Sequence, residues 1–406
     1  MATIPSISLI PSGYKAGKVY SVLPTDGSAD FDFSRNTTAT RINKNSLIEN
    51  VGNNVPRLDY EGGGCPSLLL EPAATNQMNN SEDFTAWSKS AGSSVTITNI
   101  NNPVNSLNAN LITIDSDGIW ANRNTPDASA AYEVSFWLQK NSQTGNIQMT
   151  NAQGSGSGNW TIDLDLLGSD FVRIHKTHPS VTIIYEFVTL ASGDIAPRFI
   201  STLGTKSVYV TGFQLEKGSY ATSYIPTATA GASVTRLADT ANNAGNASTF
   251  NDSEGVLMVE ISALADSLSY RLISLSGGGT ANTLFIGYSQ TSNQIHSSVI
   301  SGGSVQVSWF HSLSSTTENI KCALKYKDND FALWVNGVNV LTDTSGISPT
   351  GLNSLGFSLG SGSFPFYGNC EDLRVYNTAL TALELETLTS YTSFNAMALA
   401  LNYTIQ

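Results

Sequence analysis

Few residues in this 406-residue chain could do chemistry, and most of those are carboxylates. Asp163 and Asp165, in "NWTIDLDLL", stand two apart, so a strand places both on one face. Glycoside hydrolysis needs such a pair, one carboxyl as acid and the other as nucleophile or base. The same spacing also describes the solvated side of an amphipathic strand. Glu82-Asp83 and Glu371-Asp372 are adjacent and point to opposite faces of a strand. His175 and His178, in "RIHKTHPS", are followed by a proline, and the segment reads as a loop with exposed histidines rather than a zinc site. "KDNDF" offers Asp328 and Asp330, hard oxygen ligands of the kind calcium takes, and it reads equally as a turn between strands. "GGGC" from Gly62 and "GGGT" from Gly277 lack the Lys-Ser/Thr and the helix of a phosphate loop.

Sugar recognition asks for different residues: an aromatic ring against the apolar face of a pyranose, and Asn, Asp or backbone groups on its hydroxyls. "DSDGIWANRN" sets Trp120 among Asp117, Asn122 and Arg123, outside any clear alternating strand. "GSFPFYGN" sets Phe366 and Tyr367 beside Phe364 and Asn369. Both groups are carbohydrate-binding candidates, and rings of this size are also ordinary packing residues. Trp137, Trp160 and Trp334 lie inside strand patterns and read as packing.

Composition narrows the partners. Charged residues make up 13% of the chain, about half the usual share. The net charge of −12 lacks the basic footprint of a nucleic-acid binder and argues equally against an anionic membrane surface. No run of apolar residues is long enough to span a bilayer, and "MATIPSISLIPSGYK" shows no signal-peptide pattern. Cys65, Cys322 and Cys370 are odd in number and widely spaced, so they are expected as reduced thiols. Cys322 and Cys370 meet only if their strands pair.

The elements that must position these residues are almost all strands. Residues 1–75 are broken by Pro5, Pro11, Pro24, Pro56, Pro66 and Pro72, and read as an extended arm that must lie against something. From 76 to 227 short strands alternate: Tyr132, Val134, Phe136 and Leu138 share one face, and Trp160, Ile162, Leu164 and Leu166 share another. In "GFQLEKGSYATSYIPT" a strand stops before Pro226, which closes the domain; 228–249 then reads as a small, polar linker. A second set of strands fills 250–395, with Asn336-Gly337 as a hairpin turn. It ends in a short helix that Thr381 and Glu384 start as a capping box. The expectation is an all-β protein: an arm, two antiparallel β-sandwich or jelly-roll domains, and a tail at 396–406. The uncharged, apolar-studded stretch 391–406 is expected in a subunit interface.

The order "FDFSRNTTATRINKNSLIENVGNNVPRLDYEGGGCPSLLLEPAATNQ", "SEDFTAWSKS", "GFQLEKGSYATSYIPT" resembles a module of tailed-bacteriophage virion surface proteins, of tail-fibre and head-fibre type. The C-terminal block, with "FALWVNGV" and "EDLRVYNTALTALELETL", resembles the laminin-G/concanavalin-A-like lectin fold. The resemblance implies a structural virion protein, made in the bacterial host cytoplasm. It would be a homotrimer, anchored to other virion proteins by the N-terminal arm and contributing to attachment to a host-surface glycan. It implies neither a nucleic-acid partner nor membrane insertion, and no cofactor beyond calcium, which laminin-G-like domains often bind. Two alternatives stay open: a polysaccharide-degrading tailspike-type glycosidase and a purely architectural capsid or tail decoration. Against the first, this chain lacks the E-x-D-x-x-E strand shared by retaining enzymes of the concanavalin-like fold.

Overall fold

The computed structural model describes residues 3–104, 108–120, 123–124, 131–150, 160–178, 194–195, 198–201, 203–228 and 232–390. It is nearly all β, and the chain divides into two compact units. One is Met1–Thr38, Val51–Pro72 and Ala238–Gln406; the other is Ala39–Asn50 and Ala73–Leu237.

The first unit is a sandwich. Its larger, eight-stranded sheet runs Val338–Asp343, Phe331–Val335, Ile320–Lys327, Glu254–Ala263, Gly368–Tyr376, Ser67–Leu70, Arg57–Asp59, with Ile7–Leu9 also pairing Gly368–Tyr376. The smaller, five-stranded sheet runs Ser304–Ser312, Gln294–Ser301, Thr283–Tyr288, Arg271–Ser276, Ser354–Gly356. Period-two alternation sends Leu257, Val259 and Ile261 from one sheet and Ile273, Leu275, Leu284 and Ile286 from the other into a common core. The opposite face of the larger sheet carries Val256, Met258, Ala323 and Trp334, and the helix Ala382–Thr389 buries them with Leu385. Thr381 and Glu384 form the expected capping box on that helix. Asn336 and Gly337 both take positive φ, 47° and 83°, as a two-residue hairpin requires.

Residues 1–75 are not a separate arm. Ile7–Leu9, Arg57–Asp59 and Ser67–Leu70 are rungs of the large sheet, and Ile7, Leu9, Leu58, Leu68 and Leu70 are core residues. The hairpin Ala39–Ile42/Ile48–Val51 and the strand Ala74–Asn76 fall largely in the other unit. The prolines only set the ends of strands three or four residues long. Nor is 228–249 a free linker: Val234–Arg236 pairs with Ala74–Asn76, and Thr240–Asn242 pairs with Phe31–Ser34.

Arg35, Arg57, Glu71 and Asp239 form a buried charge cluster in the first unit. Asp239 receives Arg35 Nη1 at 3.0 Å on one oxygen and Arg57 Nη2 on the other, and Arg57 Nη1 reaches Glu71. Burial alone would lower the Arg57 guanidinium; Asp239 and Glu71 more than reverse that and raise it. Arg35 also donates to the carbonyls of Thr37, Gly52 and Val55.

The second unit packs two five-stranded sheets around Phe84, Trp87, Phe136, Phe199 and Phe213. Tyr132, Val134, Phe136 and Leu138 line its core as the alternation requires. The second expected face breaks. Asp163 accepts from the Asp165 N–H and turns the chain into a 3-10 helix at Leu164–Leu166, so Ile162 and Leu164 are buried while Leu166 is 83% exposed.

Removing Asp239 would strand two buried guanidinium groups. Asp239→Ala is expected to destabilise the first unit by about 3–5 kcal/mol, measured by denaturant unfolding of the full chain. A loss under about 1 kcal/mol would contradict the assignment.

Candidate functional site

The structure separates the carboxylates that sequence spacing had paired. The strand ends at Asp163, Asp165 lies in the 3-10 turn, and its carboxylate accepts from the Gly145 N–H, so the two do not face one cleft. His175 and His178 lie on the strand Val172–His178, not in a loop, and His175 Nδ1 is 2.7 Å from Glu133. Asp328 accepts from the Ser348 N–H at 2.7 Å and Asp330 pairs with Lys325, so protein donors occupy both calcium candidates in the turn between two strands. Among the described residues no group of three or more His, Cys, Asp or Glu gathers as metal ligands. Cys322 and Cys370 are buried free thiols, on strands that flank Glu254–Ala263 from either side, and burial pushes both thiols up.

Of the first sugar candidates, Trp120 and Asp117 do come together, through Arg198. The Arg198 guanidinium lies 5.7 Å from the Trp120 ring centre and its Nε donates to the Asp117 carbonyl at 2.6 Å. Trp120 is half-buried against the core of its own sandwich. Asp115 organises the loop: it accepts from the N–H groups of Gly118 and Asp117 and from Ser90 and Ser93, which hold it at about 2. Asn122 lies outside the described residues, and Arg123 is described only as a backbone partner of Ile195.

The second group is dispersed. Phe366 is a core residue beside Tyr288 and Phe357, unavailable to a ligand. Asn369 sits inside the large sheet and accepts from Ser67 Oγ at 3.0 Å. Tyr367, between them, is half-buried.

What the sequence reading missed lies on strands. The five-stranded sheet turns Ile273, Leu275, Ile286 and Val299 to the core, so the alternate positions face away from it: Ser274, Ser276, Phe285, His296, Ser298 and Phe310. At one end of this outer face the rings cluster. His296 stacks on Phe310 at 4.2 Å and 11°, meets Phe285 edge-on at 4.9 Å, and lies 5.6 Å from Tyr270. Tyr270 in turn meets Phe364 at 5.4 Å. Phe310 and Phe364 are 47% and 44% exposed, large rings left open on one face.

At the other end is a polar cleft of about 110 Å³ lined by Asn242, Asn243, Ser274, Ser276, Ser354 and Ser358. Glycine keeps it open: a Cβ on Gly356 would meet Asn242 Oδ1 at 2.5 Å, and one on Gly360 would meet Ser276 Oγ at 2.5 Å. Asp32 reaches its edge through Asn243 and is ion-paired to Lys18 at 2.7 Å.

His296 belongs to the ring cluster as a neutral group. Its Nε2 is 3.2 Å from Ser308 Oγ, its Nδ1 is buried without a hydrogen-bond partner, and burial pushes it down to about 4. The signal available in the sequence was a pair of phenylalanines at outward positions, in "NTLFIGYS" and "SVQVSWF", where an exposed strand face usually carries polar side chains.

No family model and no curated protein matches the sequence. Among solved structures, the chain is similar to the CBM40 module of the Ruminococcus gnavus IT-sialidase, at 16% identity over 37% of this chain and 94% of that one, TM-score 0.29. It is similar to domain 4 of AbnA, a GH43 extracellular arabinanase of Geobacillus stearothermophilus, at 13% identity over 42% and 81%, TM-score 0.30. A leech intramolecular trans-sialidase gives 18% identity over 36% of this chain and 24% of that one, TM-score 0.29. No residue role is carried over from likenesses of this size.

The depressed His296 value makes a pH prediction with a definite sign. Between about 6.5, the ordinary histidine value, and about 4, the unfolded chain binds a proton that the folded chain refuses, so stability falls as pH falls through that window. Unfolding curves from pH 7 to pH 4 should show a steeper loss for the wild type than for His296→Gln. Equal slopes would contradict a buried neutral His296.

Proposed function

We propose that this chain is a non-catalytic, glycan-binding structural protein of a bacterial-virus surface, and that the outer face of the five-stranded sheet is its glycan site. One observation carries the binding half: exposed rings, Phe310 and Phe364, share a sheet face with a small amide- and hydroxyl-lined cleft, where Asn243 is exposed, Asn242 and Ser354 are half-buried, and Ser274, Ser276 and Ser358 are buried. Pyranoses present the complementary pair of surfaces, apolar C–H faces and hydroxyl edges. Rings offer the first a flat apolar partner at low entropic cost, and serine and asparagine side chains both donate and accept to the second.

The non-catalytic half is supported by what the candidate carboxylates do. In the second unit Asp163 caps a turn and Asp165 accepts from a backbone N–H; on the first unit's sheet face the described lining of the cleft and ring cluster holds no Asp or Glu, and Asp32 at the cleft edge is tied to Lys18. The virion half rests on the sequence resemblance. Its expected anchoring arm is built into the folded units, so attachment to other virion proteins falls to their surface or to residues 391–406. That tail, with the homotrimer interface expected of it, lies outside the described residues.

Affinity electrophoresis of the full chain through host capsular polysaccharide or lipopolysaccharide tests the reading. Retardation is expected for the wild type and for Trp120→Ala, and loss of it for Phe310→Ala combined with Phe364→Ala. Prolonged incubation should release no reducing ends. Reducing ends that disappear in Asp163→Asn or Asp165→Asn would favour the glycosidase instead, and immunogold labelling that never finds the protein on particles would remove the virion assignment.

A further inference from the structure

The chemistry of the sheet face also bears on which glycans it takes. Resting on the glycan reading above, we propose that this face selects an uncharged oligosaccharide of two or more pyranose units and discriminates against glycans bearing carboxylate or phosphate. One unit would stack on Phe310 and Phe364, and a neighbouring unit would hydrogen-bond in the cleft around Asn242 and Ser276.

Length follows from the strand geometry. The ring cluster is centred level with Leu272, whose N–H donates to the Phe364 carbonyl and whose cross-strand partner is Gly287, itself opposite His296. The cleft is centred level with Ser274 and Ser276, on the same strand and the same face. At ~3.3 Å per residue, those levels are roughly 7–13 Å apart. A single pyranose fills one half or the other, and a ligand that uses both is an oligosaccharide.

Charge selection follows from the lining. Among the described residues, the cleft and the ring cluster present Asn, Ser, Gly, Tyr, Phe and His and no Lys, Arg, Asp or Glu. His296 is buried under rings as a neutral imidazole at ordinary pH, so it supplies no counter-charge. Lys18, the cation nearest in the bonding pattern, is already paired with Asp32. Arg271, on the same strand at an alternate position, points to the other side: its guanidinium lies over Tyr288, a core residue. An anionic sugar laid on this face would be partly desolvated with no cation to meet it, a cost that a neutral sugar escapes. The Ser274 and Ser358 hydroxyls already donate within the protein, to the Ser358 carbonyl at 2.6 Å and to Asn242 Oδ1 at 3.0 Å, so toward a ligand they can only accept from sugar hydroxyls, which a neutral sugar supplies and a carboxylate or phosphate does not.

The test uses the full chain on a printed array of neutral gluco-, galacto- and manno-oligosaccharides of one to six residues, each longer member paired with its sialylated or uronic-acid counterpart. Hits are followed by calorimetry. Expected are at least tenfold tighter binding of a neutral di- or trisaccharide than of its monosaccharide, and at least tenfold weaker binding of the acidic counterpart. Ser354→Leu, which projects into the cleft, should abolish the gain from lengthening while retaining the monosaccharide. Gly356→Val should do the same if its melting curve matches the wild type. Acidic members bound as well as neutral ones, or monosaccharides bound as well as oligosaccharides, would overturn this selectivity and leave the glycan reading standing. No glycan bound at all, or binding indifferent to Phe310→Ala, Phe364→Ala and Ser354→Leu together, would overturn the site itself.

Discussion

Asp239 meets two buried guanidinium groups, and the chain's path depends on that meeting. The first unit's chain runs out at Pro72 and resumes at Ala238, so its closure must be made by residues at those two points. Glu71 and Asp239 make it. The Asp239 N–H donates to the Glu71 carbonyl, the Glu71 N–H donates to the Asp239 carboxylate at 2.9 Å, and Arg57 bridges both acids. Arg35 extends the tie to the carbonyls of Gly52 and Val55, where the chain has just returned from residues 39–50. An ion cluster this deep stabilises little against a well-packed apolar alternative, but losing one member leaves an uncompensated charge in the interior. Its effect is to bring four distant chain segments to one place.

The residues that carry the resemblance to virion proteins turn out to be such ties. Arg35, Arg57 and Glu71 belong to the cluster. In the second unit Asn76 donates to the carbonyls of Phe213 and Ile225 and accepts from the Leu215 N–H, while Gln214 accepts from the Ile225 N–H and Glu216 from the Thr222 N–H. These hydrogen bonds set how "GFQLEKGSYATSYIPT" folds back on its own strand, with Tyr224 edge-on to Trp137 at 5.5 Å. Their role here is architectural. The residues proposed to meet a glycan are on the five-stranded sheet, whose inner face is ordinary core.

Long alternating strands were legible from the residues alone, because period two over six or more positions admits few other readings; Tyr132–Lys140 is an example. The Asn336-Gly337 hairpin and the Thr381/Glu384 capping box were legible because each is local chemistry. Strands of three or four residues were not, since Ile7–Leu9 and Arg57–Asp59 gain their identity only from the large sheet they join. Asp163 misled for a related reason: its side chain competes for a backbone N–H and ends the strand that the pattern would continue. Alternation sets Phe285 and Phe310 on the polar side of their strands, but rings within strand patterns usually pack inward, and only the register brings them together with His296 into one cluster.

The central claim is that glycan recognition resides on that outward face. Hydrogen–deuterium exchange of the full chain, with and without a mixture of neutral gluco-, galacto- and manno-hexasaccharides, addresses it most directly. The expected result is slowed exchange in 270–276, 294–312 and 354–364, with no change across 115–120. Protection confined to 115–120, or none anywhere at saturating sugar, would contradict it.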